Sequence, residues 1–232
     1  SNVQLLSMCT SYFNMTEPEA ADIWLDALKE SCRAAKKLGV GRLITQVGAD
    51  TGKERAFQHE SIVKNLKAAG SVLEYYGITL MIEPLNTLVD HRGYYLTSSA
   101  EAFDIIREAG GRFSKVVFDI YHQQVSEGNV IRNITNNIDF IGHFHIADNP
   151  GRNQPGTGEL NYANIFSAIQ SAGYKGWLKP LPLFAQYDAH ATFFPYGPLG
   201  TNELAKLKVI AAAGHTVGIH TLNHGDARTA WE

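Results

Sequence analysis

Eight short, continuously apolar runs recur along this chain, most of them separated by segments of helical period. No other feature limits its fold as strongly. The runs cover residues 3–8, 42–47, 79–84, 115–121, 140–147, 176–178, 191–194 and 216–221. They are unbroken in Leu, Ile, Val and Phe rather than alternating, as expected of strands buried on both faces. Helices are predicted between them. Residues 18–38 carry Ile23, Leu25, Leu28 and Ala35 and stop at Gly39, and residues 59–76 carry Ile62, Leu66, Ala69 and Leu73 and stop at Gly77. Residues 98–109 open on Ser98-Ser99-Ala100-Glu101, a capping pattern. Residues 161–172 and 202–213 end at Gly173 and Gly214.

Eight such units in 232 residues give about 29 residues each, the size of one βα repeat. The expected fold is α/β, a single-domain (β/α)8 TIM-type barrel over residues 1–232. An open doubly wound sheet is the alternative, but no G-x-G-x-x-G follows the first run, so a dinucleotide fold has no support. Two places fit a barrel badly. The run at 176–178 stops at Lys179-Pro180-Leu181-Pro182, and proline cannot continue a central ladder. Residues 225–232 are too few for a covering helix.

Hydrophobic residues at 44% and a net charge of −3 exclude a disordered chain, and they leave no basic footprint for nucleic acid or a membrane surface. No apolar run approaches the roughly 20 residues of a membrane span, and the start at Ser1-Asn2 is not that of a secretory signal. Cys9 and Cys32 form no disulfide framework, so both are expected as small buried hydrophobes in a reducing cytoplasm.

In a barrel the working residues lie at the C-terminal ends of strands. Reading those ends gives Glu83, then Asp119 and His122, then His143 and His145. A carboxylate at the end of an apolar run is costly unless it is paired or holds a cation. Two carboxylates and a histidine from three adjacent strands suit a divalent metal such as Mn²⁺ or Mg²⁺. Each residue also has an ordinary reading: Glu83 as a loop cap or arginine partner, Asp119 as structural, His122 as a loop histidine. His143 and His145 flank Phe144 and are expected on opposite faces of their strand, one a ligand and the other packed.

Residues 1–178 resemble the hydroxypyruvate isomerase group of the xylose isomerase-like barrel superfamily, which also holds the ketose 3-epimerases. The resemblance rests on the stretch from Gly142-His143-Phe144-His145-Ile146-Ala147-Asp148 to Gly156-Thr157-Gly158-Glu159-Leu160-Asn161-Tyr162. It rests also on Ile82-Glu83-Pro84-Leu85-Asn86, on Asp90-His91-Arg92-Gly93-Tyr94-Tyr95-Leu96, and on Phe118-Asp119-Ile120-Tyr121-His122-Gln123. The resemblance implies a metal held by Glu83, Asp119 and His145, with a fourth acidic ligand from the last strand. It implies Glu83 and His122 in catalysis, His122 and Arg152 on substrate oxygens, and a small carbonyl or sugar as substrate. Glu159 is expected to structure its loop. Members of the group often form dimers or larger oligomers, so the resemblance leaves a homo-oligomer open, with a replaced segment able to alter that surface.

The resemblance breaks after Leu178. The acidic ligand expected there is absent, and the next acidic residue is Asp188. Residues 3–8 also match the group's third strand rather than its first. About residues 181–230 are instead similar to polysaccharide deacetylases, through Ala191-Thr192-Phe193-Phe194 and His220-Thr221-Leu222-Asn223-His224. That similarity maps two zinc ligands onto His220 and His224, but the Asp-Asp motif that should precede them is missing. A two-histidine remnant is a weak site, so Zn²⁺ is the lesser expectation. Six isomerase-like and two deacetylase-like strands would complete one hybrid barrel, with 216–221 pairing 3–8. An engineered or recombined chimera is the expected origin. Two functional expectations follow: a metal-dependent isomerase impaired by the lost glutamate, or a catalytically inactive barrel that keeps part of a metal site.

Overall fold

A computed structural model describes residues 6–18 and 21–176, together with 192–193, 208, 212 and 216–217. The order is β1 (Met8–Cys9), α1 (Ala21–Lys37), β2 (Arg42–Thr45), α2 (Arg55–Tyr76), β3 (Thr79–Ile82), α3 (Ser99–Ala109), β4 (Ser114–Asp119), α4 (Ile120–Ser126), α5 (Val130–Asn136), β5 (Ile141–His145) and α6 (Tyr162–Ser171). β6 (Thr192–Phe193) and β7 (Thr216–Val217) follow.

Strands β1 to β5 form one parallel sheet in chain order, the curved half of a barrel. Each connection carries helix, as parallel neighbours require. β6 and β7 pair in parallel in a separate two-stranded sheet. The chain divides into two compact units, Ser7–Lys175 and a second made of Ser1–Leu6 with Gly176–Glu232. Residues 177–178 of the expected strand, most of the helix at 202–213, and the expected pairing of 216–221 with 3–8 lie outside the described residues.

In the first unit the sheet core is aliphatic. Ile44, Met81 and Val117 form one buried cluster, and Leu43, Leu80, Ile82, Val116 and Phe118 are also buried. Helix α2 packs its expected stripe, Ile62, Leu66, Ala69 and Leu73, and closes on Gly77 at φ 61°. Its buried polar residues pin the chain ahead of α1, since Ser61 Oγ and Asn65 Nδ2 both donate to the Met15 carbonyl, at 2.8 and 3.1 Å.

Three expectations change. In α1 the buried stripe is Trp24, Leu28, Cys32 and Ala35, whereas Ile23 is 73% exposed. Spacings of four, four and three keep those four residues on one face, and Ile23 falls off it. The run at 115–121 is not all strand: β4 stops at Asp119, which caps α4 by accepting the His122 N–H at 3.0 Å. Cys9 is exposed rather than buried, while Cys32 is buried as expected. No described helix is long and apolar enough to cross a membrane.

Candidate functional site

Strand ends bring the site together. Glu83 follows Ile82 at the end of β3 and is buried. Tyr94 holds that end in place: its hydroxyl donates to the Glu83 carbonyl at 2.9 Å and accepts the Val47 N–H at 2.9 Å. Asp119 is the last residue of β4. One carboxylate oxygen caps α4, while the other faces His122 Nε2 at 3.7 Å, Arg152 Nη2 at 3.7 Å and His145 Nδ1 at 3.9 Å.

A register shift between β4 and β5 sets His145. Val116 pairs with Ile141, but Val117 pairs with His143, so Gly142 is passed over and Asp119 lies directly opposite His145. An uninterrupted register would have placed Phe144 there. A bulge of this kind inverts the facing of everything beyond it. Only glycine fits, because a Cβ at 142 would stand 2.7 Å from Met81 Sδ and 2.9 Å from Lys115 Cβ. The expectation that His143 and His145 point to opposite faces is therefore wrong. Residues two apart on a strand share a face, and the two rings lie 5.5 Å apart.

Glu83, Asp119 and His145 each offer one ligand atom, and these atoms lie within 4.8 Å of one another. His145 Nδ1 is 2.5 Å from Glu83 Oε1. Burial pushes the His145 imidazole down, but Glu83 and Asp119 outweigh it and hold it above its ordinary value. Burial likewise raises the Asp119 carboxyl, and His122, His145 and Arg152 together bring it below the usual range. The ring of His143 is pushed down to about 3, by burial and by the nearby positive groups of His145 and Arg42. It is a packed neutral histidine. Two buried carboxylates and one imidazole form an oxygen-and-nitrogen donor set that fits a divalent cation.

Arg152 reaches the site from the loop after β5. It has a positive φ of 54°, and its guanidinium lies 5.2 Å from the Tyr121 ring centre. Asp148 organises that loop. Its buried carboxylate accepts the N–H groups of Asn149 (3.0 Å), Gly156 (2.7 Å) and Leu160 (3.1 Å). Burial raises its pKa, but these donors and Gly158 N–H outweigh burial and keep it below the ordinary range. Glu159 Oε1 accepts from Asn149 Nδ2 at 2.5 Å and from Gln124 Nε2 at 3.2 Å, in line with its expected role in the loop.

His122 sits on α4 rather than in a loop, fully buried. Burial lowers its pKa more than Asp119 raises it. Its Nδ1 meets Asn86, with the backbone N–H at 3.2 Å and the side-chain Nδ2 at 2.7 Å. Sequence reasoning gave no role to Asn86 or Asp148, although both stand inside the quoted motifs. An Asn or Asp opening a loop after a strand is the available signal, because such side chains bond to nearby backbone. His220 and His224, the possible zinc remnant, lie outside the described residues, as does Asp188.

Residues 1–181 match the family described as Xylose isomerase-like TIM barrel. The chain belongs to this family. A second match, to the family Polysaccharide deacetylase, covers residues 171–231. Over 162 residues this member of the xylose isomerase-like family is 36% identical to the hydroxypyruvate isomerase of Escherichia coli K12, covering 69% of this chain and 62% of that protein. It is 38% identical over 125 residues to the 2-oxo-tetronate isomerase of Cupriavidus necator, covering 54% and 48%. The chain thus spans less than two thirds of the length of either relative. Among solved structures, an AP endonuclease family 2 protein from Brucella melitensis superposes with a TM-score of 0.70 at 27% identity, covering 74% of this chain and 69% of that one.

Proposed function

We propose that this chain carries the active site of a metal-dependent isomerase that moves a carbonyl between adjacent carbons of a small hydroxy-carbonyl acid such as hydroxypyruvate. The observation that carries the reading is the convergence of Glu83, Asp119 and His145 at the ends of three neighbouring strands. The isomerase relatives supply the substrate class. Mn²⁺ or Mg²⁺ would be held by those three residues and would supply Lewis-acid stabilisation of an enediolate.

The chain's own groups do the rest. Glu83 presents Oε1 at the site and takes the carbon-bound proton; the electron pair left behind forms the enediolate C=C as the carbonyl pair moves onto its oxygen. The proton is then returned to the neighbouring carbon while the other hydroxyl gives up its proton and becomes the new carbonyl. Arg152 offers parallel N–H donors to the substrate carboxylate. The Tyr121 face beneath the guanidinium limits its motion. His122 binds a substrate oxygen beside Asp119.

A second reading is a barrel without turnover, with residues after Leu178 replaced by a segment of different ancestry. Lys179-Pro180-Leu181-Pro182 favours it, with no acidic residue before Asp188. Losing one of two cooperating catalytic groups commonly costs orders of magnitude in rate. The test is conversion of hydroxypyruvate to tartronate semialdehyde with added Mn²⁺ or Mg²⁺, with Glu83→Gln as control. Turnover abolished in that variant supports the isomerase. No turnover from protein that melts cooperatively and binds Mn²⁺ supports the second reading.

A further inference from the structure

Asn86 has one amide orientation open to it. Its Oδ1 accepts the backbone N–H groups of Val89 and Asp90, both at 3.0 Å. The opposite end, Nδ2, therefore faces Asp90 Oδ2 at 3.0 Å and His122 Nδ1 at 2.7 Å. The same Asp90 oxygen also accepts the Tyr121 hydroxyl at 2.8 Å. The Asn86 backbone N–H is a second donor to the same His122 nitrogen, at 3.2 Å. Two donors converge on Nδ1, and an imidazole nitrogen facing donors must present its lone pair.

We infer that Asn86 is a positioning residue: it sets His122 in the Nε2–H tautomer, so that His122 meets the site as a hydrogen-bond donor and not as a base. Nε2 is buried and has no hydrogen-bond partner among the described residues. Its nearest carboxylate oxygen, Asp119 Oδ2, stands 3.7 Å away, beyond a direct bond. A buried donor left in this way is matched by an oxygen that enters between His122 and Asp119. Under the isomerase reading, on which this last step rests, that oxygen belongs to the substrate. The tautomer itself rests only on Asn86, Asp90 and Tyr121. The ring nitrogen that carries the proton is commonly set by the bond made at the other one.

The experiment is long-range proton–nitrogen NMR on the full chain labelled with ¹⁵N-histidine, with His122 assigned by loss of its signals in His122→Gln. The expected pattern has Nδ1 unprotonated and Nε2 protonated at neutral pH. A proton on Nδ1, or on both nitrogens, overturns the inference, and no other variant is needed to see it. Asn86→Asp keeps the acceptor for Val89 and Asp90 but replaces the donor facing Nδ1 by an acceptor. It is expected to move proton density onto Nδ1, and an unchanged pattern removes the role of Asn86. Because this readout needs no turnover, an inactive protein with the expected pattern defeats the isomerase reading alone. An active one with Nδ1–H defeats only the tautomer.

Discussion

Asp119 and His145 stand directly opposite each other across β4 and β5 because Gly142, three residues before the histidine, takes no partner in the ladder. The pairing of a carboxylate with an imidazole therefore depends on a residue with no functional group. Gly142→Ala would drive a methyl group against Met81 and Lys115. Overpacking of this kind costs about 1–3 kcal/mol. The variant is expected to lose stability in urea titration by an amount in that range, and to bind Mn²⁺ more weakly. Unchanged values for both would show that the bulge is not needed.

Glu83→Gln removes a charge, and His145→Ala removes a ring, from three ligand atoms grouped within 4.8 Å. Each change is expected to weaken Mn²⁺ binding by about tenfold or more, equivalent to about 1.4 kcal/mol. Isothermal titration calorimetry measures this directly. Affinity equal to that of the parent chain for both variants would show that the cation, if bound, is held elsewhere.

The loop carrying Arg152 should have its own acid limit. The Asp148 carboxyl is held below its unfolded value of about 3.9 by backbone donors. A lowered pKa stabilises the fold above the unfolded value, and that contribution fades as pH falls through the folded one. Protection of the Gly156 and Leu160 amides, measured relative to their intrinsic exchange at each pH, is expected to fall over that acid interval and to change little above it. Asp148→Asn should show fast exchange already at neutral pH and a flatter acid response.

Arg152→Lys keeps the charge but loses the planar pair of donors and the stacking on Tyr121. If hydroxypyruvate is turned over, KM should rise by about tenfold while kcat changes less, as expected when a group binds the ground state and transition state alike. A lower kcat at unchanged KM would place Arg152 in the chemical step instead.

The repeating plan and the acidic strand ends were legible because both follow from burial. An apolar run that ends in a carboxylate is costly without a partner, and this alone singles out Glu83 and Asp119. Other features depended on contacts between distant residues. Ile120 and Tyr121 extend the apolar run of β4 and read as strand, yet Asp119 turns the chain into α4. The helix at 130–136 is rich in β-branched and Asn residues, so its propensity is weak, and it forms around buried Val130 and Ile134. Ile23 and Trp24 are neighbours of similar hydrophobicity, and only the phase of α1 against the sheet decides which is buried. The β5 bulge left no trace in composition, since Gly142 reads like any other glycine.

Asp148 grips main-chain N–H groups, and such groups are the same whichever side chains accompany them. Much of the 149–159 loop can therefore be rewritten without loosening its anchor. Gly158 is an exception, since a side chain there would collide with the Asn149 carbonyl and the Asp148 carboxylate. A library that holds Asp148, Gly156 and Gly158 constant and varies the positions around Arg152 would change what that side chain meets while keeping a single backbone path.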